Sequence, residues 1–239
     1  MEAFAKGAGR AAGWSEGALE AIYYETEQGG LTRLAESDAA LALVPLPFFL
    51  KHEKEQALTP KLAVVEAHGS TEIWSLVAKK GAVTAAASLS GWEVTGTPGY
   101  APLFVRRVAL GGWGELPADA TITFTARSLS ALRRAAAGEK VAVVLDGEQA
   151  SALAALPFAS DLEVVTRSRP LPGTLLCSVG DRMENAAVEK LASGLLHLHE
   201  TPEGADLLKS LRMTGFERAD AAAVAALRKS IDERRDPAR

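Results

Sequence analysis

LSGWEVTGTPGYAPLFVRRVAL, Leu89 to Leu110, decides how the rest of the chain is read. LSGWEVTG reads as a short strand. Thr97, Pro98 and Gly99 then make a turn, and a helical pattern begins with Ala101, Leu103, Phe104, Val108 and Leu110 as its apolar positions. Strand, turn and helix make up the repeating unit of an α/β protein. A helix N-terminus after a Gly/Thr loop is a ready anion site, because unpaired backbone N–H groups and the helix dipole both face it. The same turn is common throughout α/β proteins, so a plain turn and an anion cradle both stand at this point.

The alternation continues on either side. Residues 2–20 read as a helix, AIYYET (21–26) as a strand, Gln28-Gly29-Gly30 as a turn and LTRLAESD as a helix. ALALVPL (40–46) is a near-continuous apolar run, which suits a buried parallel strand. LAVVEAH, EIWSLVAKK and TITFTA read as strands, and LSALRRAAAGE as a helix that ends at Gly138. VAVVLDGEQASALAAL is a strand running into a helix; LEVVTRS and TLLCSVG are strands. NAAVEKLASGLLHL, PEGADLLKSLRM and the tail ADAAAVAALRKSIDERRDPAR read as helices. The pattern predicts an α/β protein with mostly parallel sheets, two in number. With no repeat or low-complexity linker, two lobes would be joined by ordered strands.

Composition narrows the function. The chain has 239 residues, 48% hydrophobic, with a net charge of −4 and 6% aromatics. That is enough to bury a core, and it indicates neither a broad basic surface nor a base-stacking surface, so no nucleic-acid partner is expected. The single cysteine, Cys177, lies in an apolar run and reads as a buried, inert side chain. His197 and His199, two apart at a helix end, point to different faces and read as surface residues; no metal site and no cofactor is expected. No nucleophile–base signature and no phosphate-binding P-loop is present, so an enzyme is not expected. No run is long and apolar enough for a transmembrane helix, and the first residues lack the apolar core of a signal peptide.

Four strand ends carry candidate ligand contacts. Asp146 closes VAVVLD, where it can meet a ligand or cap the following helix. Phe48 follows ALALVPL, and can line a cleft or fill the core. Thr95, Thr97, Gly99 and Tyr100 surround the turn already quoted, and Gln28 lies after AIYYET. Convergence at strand C-termini is what a ligand site in an α/β protein needs.

The chain resembles the periplasmic substrate-binding proteins of phosphate/phosphonate-type ABC transporters, of the type II binding-protein fold. The likeness runs from about Leu89 to Ala219. It rests on LSGWEVTGTPGYAPLFVRRVAL, ALRRAAAGEKVAVVLDGEQASAL, SRPLPG and PEGADLLKSL with the following Gly215-Phe216. GLTRLAESDAALALVPLPFFL resembles the segment leading into the first lobe's pocket strand. The resemblance implies two Rossmann-like lobes, 1–77 with 178–239 and 78–177, joined by two hinge strands, IWSLVAKK and TLLCSVGDR. It implies a small anionic ligand such as phosphate or phosphonate in the cleft. Thr95, Thr97, Gly99 and Tyr100 would meet the anion, Asp146 would accept from a protonated or hydroxylated part, and Phe48 and Tyr100 would form apolar walls. An ABC permease as partner, a monomer, and a place outside the cytoplasm follow from it. Two departures stand out. Met1 opens inside the family's first helix, so the first strand and any export signal are expected to be missing. The family's Ser-Thr-Ser before Gly-Tyr is Gly96-Thr97-Pro98 here, and Pro98 has no N–H to donate. The altered loop keeps two other functions open: a sensory or accessory protein of this fold with a degenerate site, and an enzyme built on the fold.

Overall fold

The computed structural model describes residues 1–232. In chain order its elements are α1 (Glu2–Ala11), α2 (Glu27–Ala35), β1 (Leu41–Pro45), α3 (Leu46–His52), β2 (Leu58–Glu66), β3 (Thr71–Glu72) and β4 (Ser75–Lys79). They continue with β5 (Glu93–Gly96), α4 (Pro102–Phe104), β6 (Thr121–Phe124), α5 (Ser128–Ala137), β7 (Val141–Leu145), α6 (Gly147–Ala152) and β8 (Leu162–Arg167). The last are β9 (Leu171–Pro172), β10 (Thr174–Val179), α7 (Asn185–Leu196), α8 (Pro202–Ser210), β11 (Met213–Arg218) and α9 (Ala221–Asp232). The tail expected to continue α9 runs on into 233–239, outside the described residues.

The chain forms two compact units. The first holds Met1–Thr71 and Pro172–Ala222, the second Glu72–Leu171 and, of the described residues, Ala223–Asp232. The first unit has a four-stranded sheet in the order β1-β10-β2-β11, and each of its ladders is antiparallel. Helices α1, α7 and α8 cover it. Phe4, Ala8, Leu191, Leu195 and Leu208 pack there with Leu62, Val64, Leu176 and Phe216. Cys177 is fully buried in β10, as its apolar run implies. The second unit has a five-stranded sheet in the order β6-β5-β7-β4-β8. β6, β5 and β7 run parallel, while β4 runs against β7 and β8. On one face α5 packs Ala131, Leu132 and Ala135 over Val77, Val141, Val143 and Leu145.

Several boundaries differ from the sequence reading, each for a local reason. α1 stops at Ala11, not at residue 20, because Gly13 and Trp14 turn their N–H groups back to Arg10 and Gly9. AIYYET is irregular, and Gln28-Gly29-Gly30 is not a turn but the start of α2. Thr26 caps that helix by accepting from the Gly29 N–H at 3.1 Å, an N-cap that outweighs the low helix propensity of two glycines. TGFER, which the sequence reading left without an element between two helices, forms β11 with Met213, an edge strand on β2.

The crossings between units also lie elsewhere. IWSLVAKK contains β4, whose Ser75, Leu76, Val77 and Ala78 are all buried between β7 and β8. TLLCSVG is β10, buried between β1 and β2. Both are central strands, which is why they are so apolar. The chain instead passes between units within the two-residue strands β3 and β9, which pair with each other, and again at the start of α9.

The Leu89–Leu110 stretch folds as strand, turn and helix. β5 ends at Gly96, Thr97–Tyr100 form one 3-10 turn, and Pro102 opens a helix whose second half, Val105–Ala109, widens to π-helix. The turn lies directly on its neighbours' backbone. A Cβ on Gly99 would fall 1.9 Å from the Thr123 carbonyl oxygen, and one on Gly96 would fall 2.3 Å from that of Val144. Gly99→Ala therefore forces the turn off β6. We expect a loss of about 1–3 kcal/mol or more in denaturant unfolding. Gly112→Ala, whose Cβ meets nothing within 4 Å, should stay within about 0.5 kcal/mol of the parent.

Candidate functional site

The second unit gathers five chain segments at one edge of its sheet. β5 pairs with β6 and β7 in parallel, Gly96 opposite Phe124 and Val144, so all three strands end together. Thr97, Thr125 and Asp146 leave from that edge. β4 starts there, with Ser75 opposite Leu145, and β8 ends there, with Arg167 opposite Ser75. Ser168, just past β8, accepts the Trp74 N–H at 2.9 Å and so ties the start of β4 to the end of β8.

Five of the seven sequence candidates fall at this edge, in unequal roles. Thr95 is buried, and its hydroxyl donates to the Thr123 carbonyl at 3.1 Å, which holds β5 to β6. Its one proton serves the sheet and not a ligand. Gly99 is buried and serves close packing. Thr97 is half-buried, and its hydroxyl makes no hydrogen bond among the described residues. Tyr100 meets Phe124 edge-on, with ring centroids 6.2 Å apart, and Phe124 is 56% exposed. An aromatic so open at the end of a parallel strand offers an apolar wall.

Asp146 caps α6. Its carboxylate accepts the Gln149 N–H at 2.8 Å, and Glu72 accepts the Gly147 N–H at 2.7 Å and the Ile73 N–H at 3.1 Å. Two carboxylates thus already hold amides of this short helix, which turns it away from an anion. Burial pushes the Asp146 carboxyl above the usual carboxylate range, and the charge of Glu148 adds to this against the backbone N–H groups of Gln149 and Glu148.

The edge also holds polar groups that the sequence reading passed over. Three buried side-chain atoms on its segments have no hydrogen-bond partner among the described residues: Trp74 Nε1, Ser128 Oγ and Gln149 Oε1. Trp74 precedes β4, Ser128 opens α5 after β6, and Gln149 lies in the first turn of α6 after β7. A buried polar group left unpaired costs about 1–3 kcal/mol, so three of them at one sheet edge call for a partner. Exposed Arg127 precedes Ser128 and has no carboxylate partner among the described residues. TITFTA is followed by Arg127-Ser128, and that polar pair past a strand end was the available signal.

The other two candidates belong to the first unit. Gln28 is exposed on α2, and its side chain makes no hydrogen bond among the described residues. Phe48 is not a pocket wall. It is 7% exposed on α3, with its ring 4.8 Å from that of His52, and Gly30 of α2 lies close above it. Pro45 and Pro47 start α3 directly after β1, and this drives Phe48 and Phe49 into the core.

α2 and α3 are held together by Glu27, whose Oε1 lies 2.5 Å from His52 Nε2 and 2.6 Å from Lys51 Nζ. Burial raises the Glu27 carboxyl, but the hydrogen bonds and charges of Lys51 and His52 outweigh it and the net shift is downward. A carboxyl depressed in the fold stabilises above its unfolded value, about 4.3, and that contribution is lost as pH falls through the folded value. Glu27→Gln should lower stability at pH 7 by about 1 kcal/mol and flatten the acid limb below about pH 4, measured by urea unfolding across pH.

Comparison with known proteins places this geometry. The family described as ABC transporter, phosphonate, periplasmic substrate-binding protein matches residues 45–224. No curated protein sequence matches the chain. Among solved structures, XAC2383 from Xanthomonas citri bound to ATP is similar at 15% identity and a TM-score of 0.76, over 100% of this chain and 93% of that one. A binding-protein component of an ABC phosphonate transporter from Pseudomonas aeruginosa matches at 15% identity and a TM-score of 0.64, over 96% and 78%. PhnD1 from Prochlorococcus marinus in complex with methylphosphonate matches at 14% identity and a TM-score of 0.64, over 98% and 91%. The structural likenesses carry the two-lobed α/β fold of type II binding proteins. The family match spans most of the chain, and the protein belongs to the phosphonate-type periplasmic substrate-binding family of ABC transporters.

Proposed function

We propose that this chain is the solute receptor of an ABC transporter, and that it binds a small phosphonate- or phosphate-like oxyanion at the β5-β6-β7 edge of its second unit. One observation carries the proposal: Trp74 Nε1, Ser128 Oγ and Gln149 Oε1, buried without partners at that edge. The Trp74 indole N–H and the Ser128 and Thr97 hydroxyls donate to the oxyanion, with Arg127 supplying charge. Gln149 and Asp146 accept from a protonated or hydroxylated part of the ligand, and Tyr100 and Phe124 cover its organic substituent. PhnD1, which has the same fold, holds methylphosphonate. The protein acts outside the cytoplasm as a monomer, delivers its ligand to a permease and carries out no chemistry on it.

A receptor with a degenerate site is the second reading. Pro98 removes an amide from the turn, and Asp146 and Glu72 already hold two α6 amides, Gln149 and Gly147.

Thermal melting separates the two. A ligand at 100 times its dissociation constant adds about 2.7 kcal/mol. Methylphosphonate, phosphate, phosphite, aminoethylphosphonate and sulfate should include at least one that raises the melting temperature, and Thr97→Ala should remove the rise. Since Thr97 makes no side-chain hydrogen bond in the described fold, the ligand-free stability of Thr97→Ala should change by no more than about 0.5 kcal/mol. A cooperative melt unmoved by every oxyanion contradicts the receptor and leaves the degenerate site.

A further inference from the structure

The second unit contains a cavity of about 540 Å³ that shares Arg167 and Ser168 with the sheet edge but includes none of the residues proposed to touch the oxyanion. Its walls come from three places: Arg107 to Trp113 on the π-helical segment and the turn after it, Thr166 to Arg169 at the end of β8, and Leu227 with Ser230 on α9. The volume lies in the range of small-molecule sites.

The lining is chemically sorted. Arg107, Arg167 and Arg169 bring three guanidinium groups to one hollow. Arg167 and Arg169 are exposed, and neither has a carboxylate partner among the described residues. Among the described residues no acidic side chain lines it. In a chain of net charge −4, Arg167 and Arg169, without a carboxylate partner among the described residues, make a local anion field with Arg107 beside them. Arg107 is fixed in place, because it donates to the Ile231 carbonyl of α9. Ser168 is fixed as well, accepting the Trp74 N–H and donating to the Arg169 carbonyl at 2.7 Å. Opposite these groups stand Val108, Leu227 and the half-buried indole of Trp113, a flat apolar surface.

We infer that this cavity is a second ligand site, which takes an organic phosphate carrying a flat ring: the phosphate on Arg167 and Arg169, the ring against Trp113. Guanidinium forks match phosphate oxygens in bidentate fashion, and an indole face accepts a ring at a favourable offset. The site is separate from the proposed oxyanion site and does not depend on it.

Phenyl phosphate titrated into the full chain, followed by Trp fluorescence and calorimetry, tests the inference. Binding should weaken about tenfold or more in Arg167→Ala/Arg169→Ala, from loss of charge-assisted hydrogen bonds. Both side chains are exposed, so the variant keeps its fold. Thr97→Ala should leave the affinity unchanged. Arg133→Ala, a charge removed elsewhere in the unit, should also leave it unchanged, and the fluorescence response should vanish in Trp113→Phe. No binding at about 1 mM, some 4.1 kcal/mol of affinity, overturns the site. Binding lost in Thr97→Ala but kept in the arginine variant overturns it too, because the compound then occupies the oxyanion site.

Discussion

The second unit depends on a backbone contact with no room for a side chain. The Thr97–Tyr100 turn rests against the Thr123 carbonyl of β6, and Gly96 rests against the Val144 carbonyl of β7. Only glycine allows this approach. Because the turn touches both neighbouring strands, it fixes where Thr97 and Tyr100 project and where the following helix begins. Phe104 of that helix then packs edge-on against Trp74, ring centroids 5.4 Å apart, and sets the start of β4. The edge that carries the candidate site is thus assembled by close packing first, and its polar groups are placed as a consequence.

Most buried polar groups of the loops are matched, and of the four unpartnered buried side-chain atoms among the described residues three lie at this edge and one, His52 Nδ1, in the first unit. Arg106 donates to the carbonyls of Leu116, Pro117 and Ala120, and Arg182 to those of Leu34, Glu36 and Ala39. These arginines staple loops that lack ladders of their own, which is what buried carbonyls require. Glu72 and Asp146 do the same for the start of α6. Where so many loop groups are matched, the orphaned atoms of Trp74, Ser128 and Gln149 gain meaning, since a fold that spends whole side chains on satisfying carbonyls would not leave three atoms unpaired at one edge without use.

The sequence made the strand-turn-helix plan legible because apolar runs and punctuating glycines and prolines are local signals. β5, β7 and their following helices came from such signals, and so did the N-cap reading of Asp146. What escaped was non-local. β4 and β10 read as hinges because a central strand and a crossing strand look alike until their neighbours are known. Phe48 carried two readings, and burial against α2 and His52 chose the core. Thr95 and Thr97 carry the same hydroxyl two residues apart, yet Thr95 lies inside β5 and bonds the Thr123 carbonyl, while Thr97 lies in the turn past the strand and makes no side-chain hydrogen bond among the described residues. Trp74 and Gln149 were invisible because each is ordinary in sequence, and only the absence of a partner marks them, while for Ser128 the one signal was its place after Arg127 past the end of β6.

The central claim is that the orphaned donor at the sheet edge meets an oxyanion. The most direct measurement is the indole N–H resonance of Trp74 in a proton–nitrogen spectrum during titration with methylphosphonate, the peak assigned by its loss in Trp74→Phe. The account predicts a saturable downfield shift of that proton, as expected when an unpaired indole N–H donates to a phosphonate oxygen. A Trp74 signal that stays fixed while other resonances report saturated binding would contradict it.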